Sequence, residues 1–214
     1  MTKLREMFVS HTGRYTCKFP HYMDIYDEWF SPFIDKEVTV LEIGSGCGGF
    51  LQLCKKFLGK KAKIYGLETR KEFFFEEPQI KMFLGEQQDK VFLKKVAEEI
   101  GTIDILVDDA SHERDSQIIT LEAFLPYLNV QNSLYICEDL NISYYPYPAY
   151  SNPSFIDYLK KIVDKINTNN ATPTYNSIHF YTYLAILNRS LEPSAHSSPV
   201  GVGHGYEYYR DGGV

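Results

Sequence analysis

The sequence has 214 residues, a formal net charge of −6 and 44% hydrophobic residues, against 23% that are charged. A chain of this size and composition is expected to fold as one compact domain without the help of disulfides, which excludes a disordered chain. The acidic balance argues against nucleic acid as a partner, and no apolar run approaches the ~18 residues that a membrane span needs.

The cysteines and the first residues bear on the compartment. The four cysteines show no CxxC spacing, which predicts reduced thiols rather than a disulfide or zinc framework. The opening stretch, MTKLREMFVSHTG, contains no apolar run typical of a signal peptide. Together these features predict a cytoplasmic protein.

In chain order, residues 1–37 are predicted as an N-terminal cap of helices and loops. Beyond the cap, short β-branched runs alternate with longer stretches of helical spacing. The runs predict strands at 38–43, 63–67, 80–84, 103–107 and 133–137. The helical spacing predicts helices at 50–58, 89–100, 115–128 and 155–166. Two further apolar runs, at 177–181 and 184–188, lie too close together for a crossover and predict a hairpin.

This alternation is typical of βαβ units, so the predicted fold class is α/β. We expect a Rossmann-like, doubly wound sheet with helices on both faces. The sheet would be mostly parallel, with one antiparallel C-terminal strand supplied by the hairpin. The main domain would span residues 38–190, and residues 191–214 are predicted as a loop or partly disordered tail because they show no periodicity.

A glycine-rich segment, LEIGSGCGG, follows the first predicted strand and opens the next helix. It contains Glu42, Gly44, Gly46, Gly48 and Gly49, and therefore satisfies both GxGxxG and ExGxGxG. Glycines at such a turn let a ligand approach the backbone, and the helix N-terminus presents N–H groups to it. The segment predicts a cofactor site, and the pattern alone is compatible with NAD or with S-adenosylmethionine.

Two polar positions extend this cofactor site. Glu68 closes the second predicted strand, where a carboxylate can accept both hydroxyls of a ribose. Gln87 follows the third strand, at the usual place for adenine contacts in such folds.

An acidic cluster is expected where the fourth and fifth predicted strands end. The fourth strand runs into VDDASH, with Asp108, Asp109 and His112, and the fifth into CEDL, with Glu138 and Asp139. The carboxyl ends of parallel strands meet at one sheet edge, so these side chains would lie together beside the glycine segment. Four carboxylates repel one another unless a cation sits among them, and oxygen ligands suit Mg²⁺ or another divalent cation such as Ca²⁺ or Mn²⁺.

These motifs carry a specific resemblance. The ExGxGxG form resembles motif I of the class I S-adenosylmethionine-dependent methyltransferases. VDDASH followed by YICEDLNISYYP resembles the metal-dependent sugar O-methyltransferases of macrolide biosynthesis, of the mycinamicin and tylosin type, and their short relatives in polysaccharide biosynthesis, sometimes called cephalosporin hydroxylase-like. Further segments shared with these relatives are TGR at 12–14, HY at 21–22, IY at 25–26, GEQ at 85–87 and SIHFY at 177–181.

The resemblance implies a role for each position. It implies that residues 38–190 form a class I methyltransferase domain, that Asp109, Glu138 and Asp139 hold Mg²⁺ or another divalent cation, and that His112, with Asp109, is catalytic, His112 being the general base. The implied cofactor contacts are Glu42, Gly44, Gly46, Gly48, Glu68, Gln87 and Asp108.

Aromatic residues suggest where the acceptor would bind. Tyr144 and Tyr145 directly follow the second acidic motif, with Tyr147 and Tyr150 beyond them, and flat rings suit stacking on a sugar face. His21 and Tyr22 in the cap would close over the cofactor or the acceptor. Asn141 and Tyr145 stand where the relatives usually have His and Trp, so the acceptor of the relatives does not transfer to this chain.

The predicted function is S-adenosylmethionine-dependent, Mg²⁺-assisted methylation of a hydroxyl on a sugar, a glycan or a secondary-metabolite precursor. The resemblance also implies a capacity to form homo-oligomers. Two alternatives remain open from the residues. One is an NAD-dependent oxidoreductase or epimerase that uses the same glycine segment, and the other is a non-catalytic relative that binds cofactor.

Overall fold

The computed structural model describes residues 1–145, 153–168 and 174–190. The tail predicted at 191–214 lies outside the described residues, as do Tyr147 and Tyr150. Six α-helices are found in the described part: α1 Lys3–Val9, α2 Pro20–Phe30, α3 Gly49–Leu58, α4 Lys90–Ile100, α5 Arg114–Phe124 and α6 Phe155–Ile166. The strands are β1 Thr39–Ile43, β2 Lys63–Glu68, β3 Ile80–Leu84, β4 Ile105–Asp108, β5 Asn132–Cys137, β6 Ser177–Tyr181 and β7 Leu184–Ser190.

One seven-stranded sheet organises the fold, in the order β3-β2-β1-β4-β5-β7-β6. The first five strands pair in parallel, whereas β7 is antiparallel to both of its neighbours, β5 and β6. The predicted α/β fold class, with a mostly parallel sheet and one antiparallel C-terminal strand, is confirmed.

The sheet has a hydrophobic core on each face, because successive side chains of a strand point to opposite sides. Val40 in β1 and Ile136 in β5 contribute to the core that is covered by α1, α2 and α3. Leu41 and Tyr135, their neighbours in sequence, contribute to the opposite core, under α4, α5 and α6. Helices therefore cover both faces, as a doubly wound sheet requires.

Two predicted boundaries are wrong for identifiable reasons. The strand predicted from 103 begins at Ile105, because the side chain of Asp104 accepts hydrogen bonds from Thr39 N and from Asn129 Nδ2. The helix predicted to 128 ends at Phe124 and continues as a 3₁₀ turn over Leu125–Tyr127. Pro126 in that turn lacks the N–H that would continue the α-helical hydrogen bonds.

The N-terminal segment is part of the core. Leu4, Tyr22, Met23, Tyr26 and Phe30 are fully buried and pack with the strands and with α3. Of the two N-terminal helices, α2 lies beside the glycine segment and the strand ends, since Tyr26 packs on Phe50 and bonds to Glu138. Among the described residues, none of the helices has both the length and the apolar character to cross a membrane.

Candidate active site

The carboxyl ends of β1, β4 and β5 are level with one another. Ile43 in β1 pairs with Asp108 in β4, which pairs with Cys137 in β5. The backbone continues this alignment one residue further, since Asp109 N donates to Ile43 O and Glu138 N donates to Asp108 O. The two acidic motifs therefore leave the sheet side by side, as predicted for a parallel sheet.

Lys18, which sequence reasoning missed, lies at the centre of the acidic cluster. Its ammonium donates to Glu42 Oε1 at 2.8 Å, to Asp109 Oδ2 at 2.6 Å and to Glu138 Oε1 at 2.8 Å. The side chain is only 3% exposed, and Nζ also lies 4.7 Å from the centre of the Phe50 ring. Part of the positive charge that the carboxylates require thus comes from the chain itself.

Burial and neighbouring charges have opposite effects on the pKa values of this cluster. Burial raises the pKa of Glu42 to about 7, although Lys18 acts to lower it. Burial and the charge of Asp109 raise the pKa of Glu138 to about 8, again against Lys18. Burial alone would lower the pKa of Lys18, but the three carboxylates raise it well above its ordinary value. Lys18 is therefore an ammonium at neutral pH, and its charge keeps the glutamates closer to their ionised form.

Two tyrosines of α2 bind the carboxylates of the second acidic motif. Tyr22 donates from its hydroxyl to Asp139 Oδ1 at 2.9 Å, and Tyr26 donates to Glu138 Oε1 at 2.6 Å. Both rings are fully buried. Tyr22, predicted as an acceptor contact, is instead placed behind Asp139, where its hydroxyl holds the carboxylate.

His112 faces the carboxylates from the loop between β4 and α5. Its Nε2 lies 4.0 Å from Asp109 Oδ1, while its Nδ1 is buried without a hydrogen-bond partner in the described part of the chain. Its φ is +59°, and that of Asp139 is +54°. Non-glycine residues in this left-handed region cost about 1–3 kcal/mol and cluster at functional sites.

The residues present fit a divalent cation. Asp109, His112 and Asp139 each offer a ligand atom, and these atoms all lie within 4.8 Å of one another. A second such group is formed by Glu42, Asp109 and Glu138, and Lys18 donates to one oxygen of each of them. Carboxylate oxygens are the ligands that Mg²⁺ and Ca²⁺ prefer. Asp109 belongs to both groups, so the predicted metal carboxylates form one continuous set.

Two adjoining cavities lie in front of the glycine segment. The first, of about 330 Å³, is lined by the predicted cofactor residues Glu68 and Gln87. The second, of about 370 Å³, is lined by Lys18 and Glu42. Residues that line both cavities are Gly44, Gly46, Arg70 and Asp109. The two cavities together form a trough that reaches the acidic cluster through Asp109, whereas His112, Glu138 and Asp139 lie beyond their lining.

The glycines differ in what they do. A Cβ on Gly46 would meet nothing within 4 Å, so this residue is open to the trough. A Cβ on Gly44 would lie 2.3 Å from Asp109 O, which shows how tightly the loop after β4 packs on it. Gly48 does not line the trough. It is required at its position by its φ of +85° and by the ring of Phe75, 2.0 Å from where a Cβ would be.

We expect Gly48→Ala to destabilise the protein by about 1–3 kcal/mol more than it destabilises a Phe75→Ala background. The backbone of Gly48, with a φ of +85° and a ψ of 11°, costs the same in both backgrounds, whereas the contact with the Phe75 ring exists only in the first. Urea unfolding of the four proteins measures the difference. Equal losses of stability in the two backgrounds would show that Phe75 moves aside freely.

Other predicted cofactor residues form hydrogen bonds within the protein. Glu68 Oε2 accepts from Gly46 N at 2.8 Å, so this carboxylate shapes the glycine loop. Gln87 donates to Asp108 Oδ1 and accepts from Ser111 N. Asp108 does not line the trough: it is 1% exposed, and its second oxygen accepts from Tyr135. Asp108 is therefore placed to hold Gln87 rather than to touch a cofactor directly.

Exposed aromatic rings lie in the segments that follow Asp139 and that surround His21. The predicted acceptor residues Tyr144 and Tyr145 are 66% and 48% exposed. The predicted His21 packs with Phe19 and Tyr183, which are 40% and 41% exposed. The Tyr22 hydroxyl, which donates a hydrogen bond to Asp139, also lies 3.2 Å from the carbonyl oxygen of Tyr183. These rings are therefore close to the acidic cluster.

Comparisons with known proteins agree with this arrangement. The model of the FtsJ-like methyltransferase family matches residues 14–141. The chain is 31% identical over 190 residues to the 8-demethyl-8-alpha-L-rhamnosyl tetracenomycin-C 2'-O-methyltransferase of Streptomyces olivaceus, covering 78% of this chain and 50% of that protein. It is also 31% identical over 154 residues to the mycinamicin VI 2''-O-methyltransferase of Micromonospora griseorubida, covering 66% of this chain and 38% of that protein.

A solved structure shows the same fold. The MycE methyltransferase from the mycinamycin biosynthetic pathway, in complex with Mg and SAH, superposes with a TM-score of 0.71 at 27% identity. The match covers 83% of this chain and 52% of that chain. The chain thus spans about half the length, or less, of the relatives it matches. Because the family model covers more than half of its residues, the chain belongs to the FtsJ-like methyltransferase family.

Proposed function

We propose that this protein is an S-adenosylmethionine-dependent O-methyltransferase that methylates a hydroxyl of a sugar with the help of Mg²⁺ or another divalent cation. The observation that carries the proposal is the meeting of the glycine-lined trough with a carboxylate–histidine cluster at Asp109. The printed names of the relatives, which are O-methyltransferases of rhamnosyl tetracenomycin and of mycinamicin, support it. Nothing among these relatives supports the NAD-dependent alternative.

The cofactor would occupy the trough. Gly44 and Gly46 let it approach the backbone, and Glu68 stands where the ribose hydroxyls of a nucleoside would be accepted. Glu42 has a buried oxygen, Oε2, without a hydrogen-bond partner in the described part of the chain, which suits the amino group of the cofactor. When bound, S-adenosylmethionine supplies an electrophilic methyl group on its sulfonium.

The divalent cation would be held by Asp109, Glu138 and Asp139. The structure of MycE with Mg and SAH supports a divalent cation in this fold, because that chain is 27% identical and shares the fold. When bound, such an ion lowers the pKa of a coordinated hydroxyl and orients it. Tyr22 and Tyr26 fix the orientation of Asp139 and Glu138, which limits how the acceptor can lie against the trough.

His112 would act as the general base, together with Asp109. Its Nε2 faces the acidic cluster, so this nitrogen would take the proton of the acceptor hydroxyl. Asp109 lines the trough and lies 4.0 Å from His112 Nε2, so it would keep the imidazole close to the cofactor site.

The acceptor would lie over the exposed rings, because flat aromatic faces suit the apolar face of a sugar. We propose Tyr144, Tyr145 and His21 for this contact, and the structure adds Phe19 and Tyr183 as neighbours of His21. A glycan or a secondary-metabolite precursor would present such a sugar.

The organisation of the chain completes the proposal. Residues 1–37 would act as a cap that brings Lys18 and the tyrosines to a methyltransferase domain over residues 38–190. We also propose a cytoplasmic location, self-association into homo-oligomers, and no nucleic-acid substrate, the last because the net charge is −6.

Calorimetry tests the reaction class, with S-adenosylhomocysteine and NAD⁺ each titrated in Mg²⁺ and in chelator. We expect micromolar binding of S-adenosylhomocysteine and no signal from NAD⁺. Transfer of a labelled methyl group to free and nucleotide-linked hexoses and deoxyhexoses then tests the acceptor. Binding of NAD⁺ alone would contradict the proposal. Tight cofactor binding with no transfer to any sugar would favour the non-catalytic alternative.

A further inference from the structure

The ammonium of Lys18 connects the proposed cofactor site with the proposed cation site. Glu42, at the end of β1, belongs to the glycine segment and lines the trough. Asp109 and Glu138 belong to the proposed cation site. Lys18 Nζ lies 2.6–2.8 Å from one oxygen of each of the three, so its three N–H donors are all used.

This arrangement leaves one oxygen of each carboxylate for a ligand. The second oxygen of Glu42, Oε2, is buried and has no hydrogen-bond partner within the described ranges. The second oxygen of Asp109, Oδ1, is turned toward His112. The Lys18 side chain is only 3% exposed. It is therefore a fixed part of the site, between the places proposed for the cofactor and for the divalent cation.

We propose that Lys18 is a shared counter-ion that makes cofactor binding independent of the divalent cation. The proposal rests on the function proposed above. Lys18 is a positioning residue here: it holds Glu42 toward the trough whether or not a second cation is present beside Asp109 and Glu138.

The reason is electrostatic. Glu42, Asp109 and Glu138 offer oxygens that lie within 4.8 Å of one another, and two of the three side chains are almost fully buried. Without the ammonium, no cation of the described chain would hold Glu42 toward the trough and offset the charge of its neighbours. A divalent cation would then have to supply the missing charge, so cofactor affinity would come to depend on it.

The experiment is a two-by-two comparison by calorimetry. The dissociation constant of S-adenosylhomocysteine is measured in Mg²⁺ and in chelator, for the unmodified protein and for Lys18→Met, which removes the charge but keeps the side-chain length. We expect a change of less than about threefold for the unmodified protein, and a loss of about tenfold or more in chelator for Lys18→Met.

Lys81→Met is the matched control, because Lys81 pairs with Glu99 on the surface, where both side chains are about half exposed. It should behave like the unmodified protein. A Lys18→Met protein whose affinity is no more sensitive to Mg²⁺ than the control would overturn the inference and leave the proposed function intact. An unmodified protein that does not bind S-adenosylhomocysteine would overturn both.

Thermal unfolding tests the inference in the case that Lys18→Met is only weakly folded. Mg²⁺ should raise the Tm of Lys18→Met more than that of Lys81→Met, and equal rises would count against the inference. If Lys18→Met does not fold, the double variant Lys18→Met/Glu42→Gln should, since it also removes one carboxylate. A double variant that does not fold either would contradict the electrostatic explanation.

Discussion

Asp139→Asn is expected to reduce methyl transfer by about 10²–10⁴-fold while cofactor affinity changes little. The amide keeps the size of the carboxylate and can still accept from Tyr22, and asparagine tolerates the left-handed backbone that Asp139 adopts. What it loses is the charge proposed to hold the divalent cation. Initial rates of transfer, together with calorimetry of S-adenosylhomocysteine, measure the two effects separately.

Asp115→Asn provides the comparison, because Asp115 is a 74% exposed carboxylate whose partner is Arg114. It should retain the rate of the unmodified protein. Full activity of Asp139→Asn would show that this carboxylate does not hold a catalytic cation. A loss of cofactor affinity as large as the loss of rate would instead assign Asp139 to the cofactor.

His112→Asn is expected to lower kcat by about 10²–10⁴-fold, the usual contribution of a general base. Asparagine tolerates the φ of +59° that His112 adopts, so the loop after β4 should keep its conformation. Affinity for S-adenosylhomocysteine should stay within about twofold, because His112 lies outside the lining of the trough.

The test for His112 is a comparison of kcat and KM with those of His179→Asn. His179 lies on β6, where its Nε2 is hydrogen-bonded with Ser177 Oγ and its ring packs edge-on against Trp29. An equally active His112→Asn protein would leave the cation as the only group that activates the hydroxyl. A large rise in KM with an unchanged kcat would place His112 in acceptor binding rather than in proton transfer.

The sheet was predictable because each of its strands carries its own signal. Runs such as VTVLEI and SLYIC are β-branched or apolar, and chain order then fixes which carboxyl ends share an edge. Asp109, Glu138 and Asp139 follow such runs directly, so their meeting follows from topology alone. The antiparallel β7 was predictable as well, because too few residues separate it from β6 for a crossover.

The groups behind the carboxylates were not predictable from local patterns. Lys18 precedes a helix in a loop, and a lysine there is usually solvated, so nothing near it in sequence indicates its burial. The four-residue spacing of Tyr22 and Tyr26 indicates a shared helix face, but not that their hydroxyls meet Asp139 and Glu138. These contacts span more than 100 residues of sequence and depend on how α2 packs on the sheet.

The bond between Tyr22 and the carbonyl of Tyr183 has a consequence for the order of folding. It joins two positions that are 161 residues apart in sequence. The same Tyr22 hydroxyl donates to Asp139, so this part of the site needs residues from near both ends of the described chain. Contacts of such long range form late, because the entropy of closing a large loop must be overcome first. During synthesis, β6 can join the sheet only through β7, which lies between it and β5, so the residues of both strands must first have left the ribosome. An unfinished chain would therefore carry the glycine loop and the acidic motifs without a completed site.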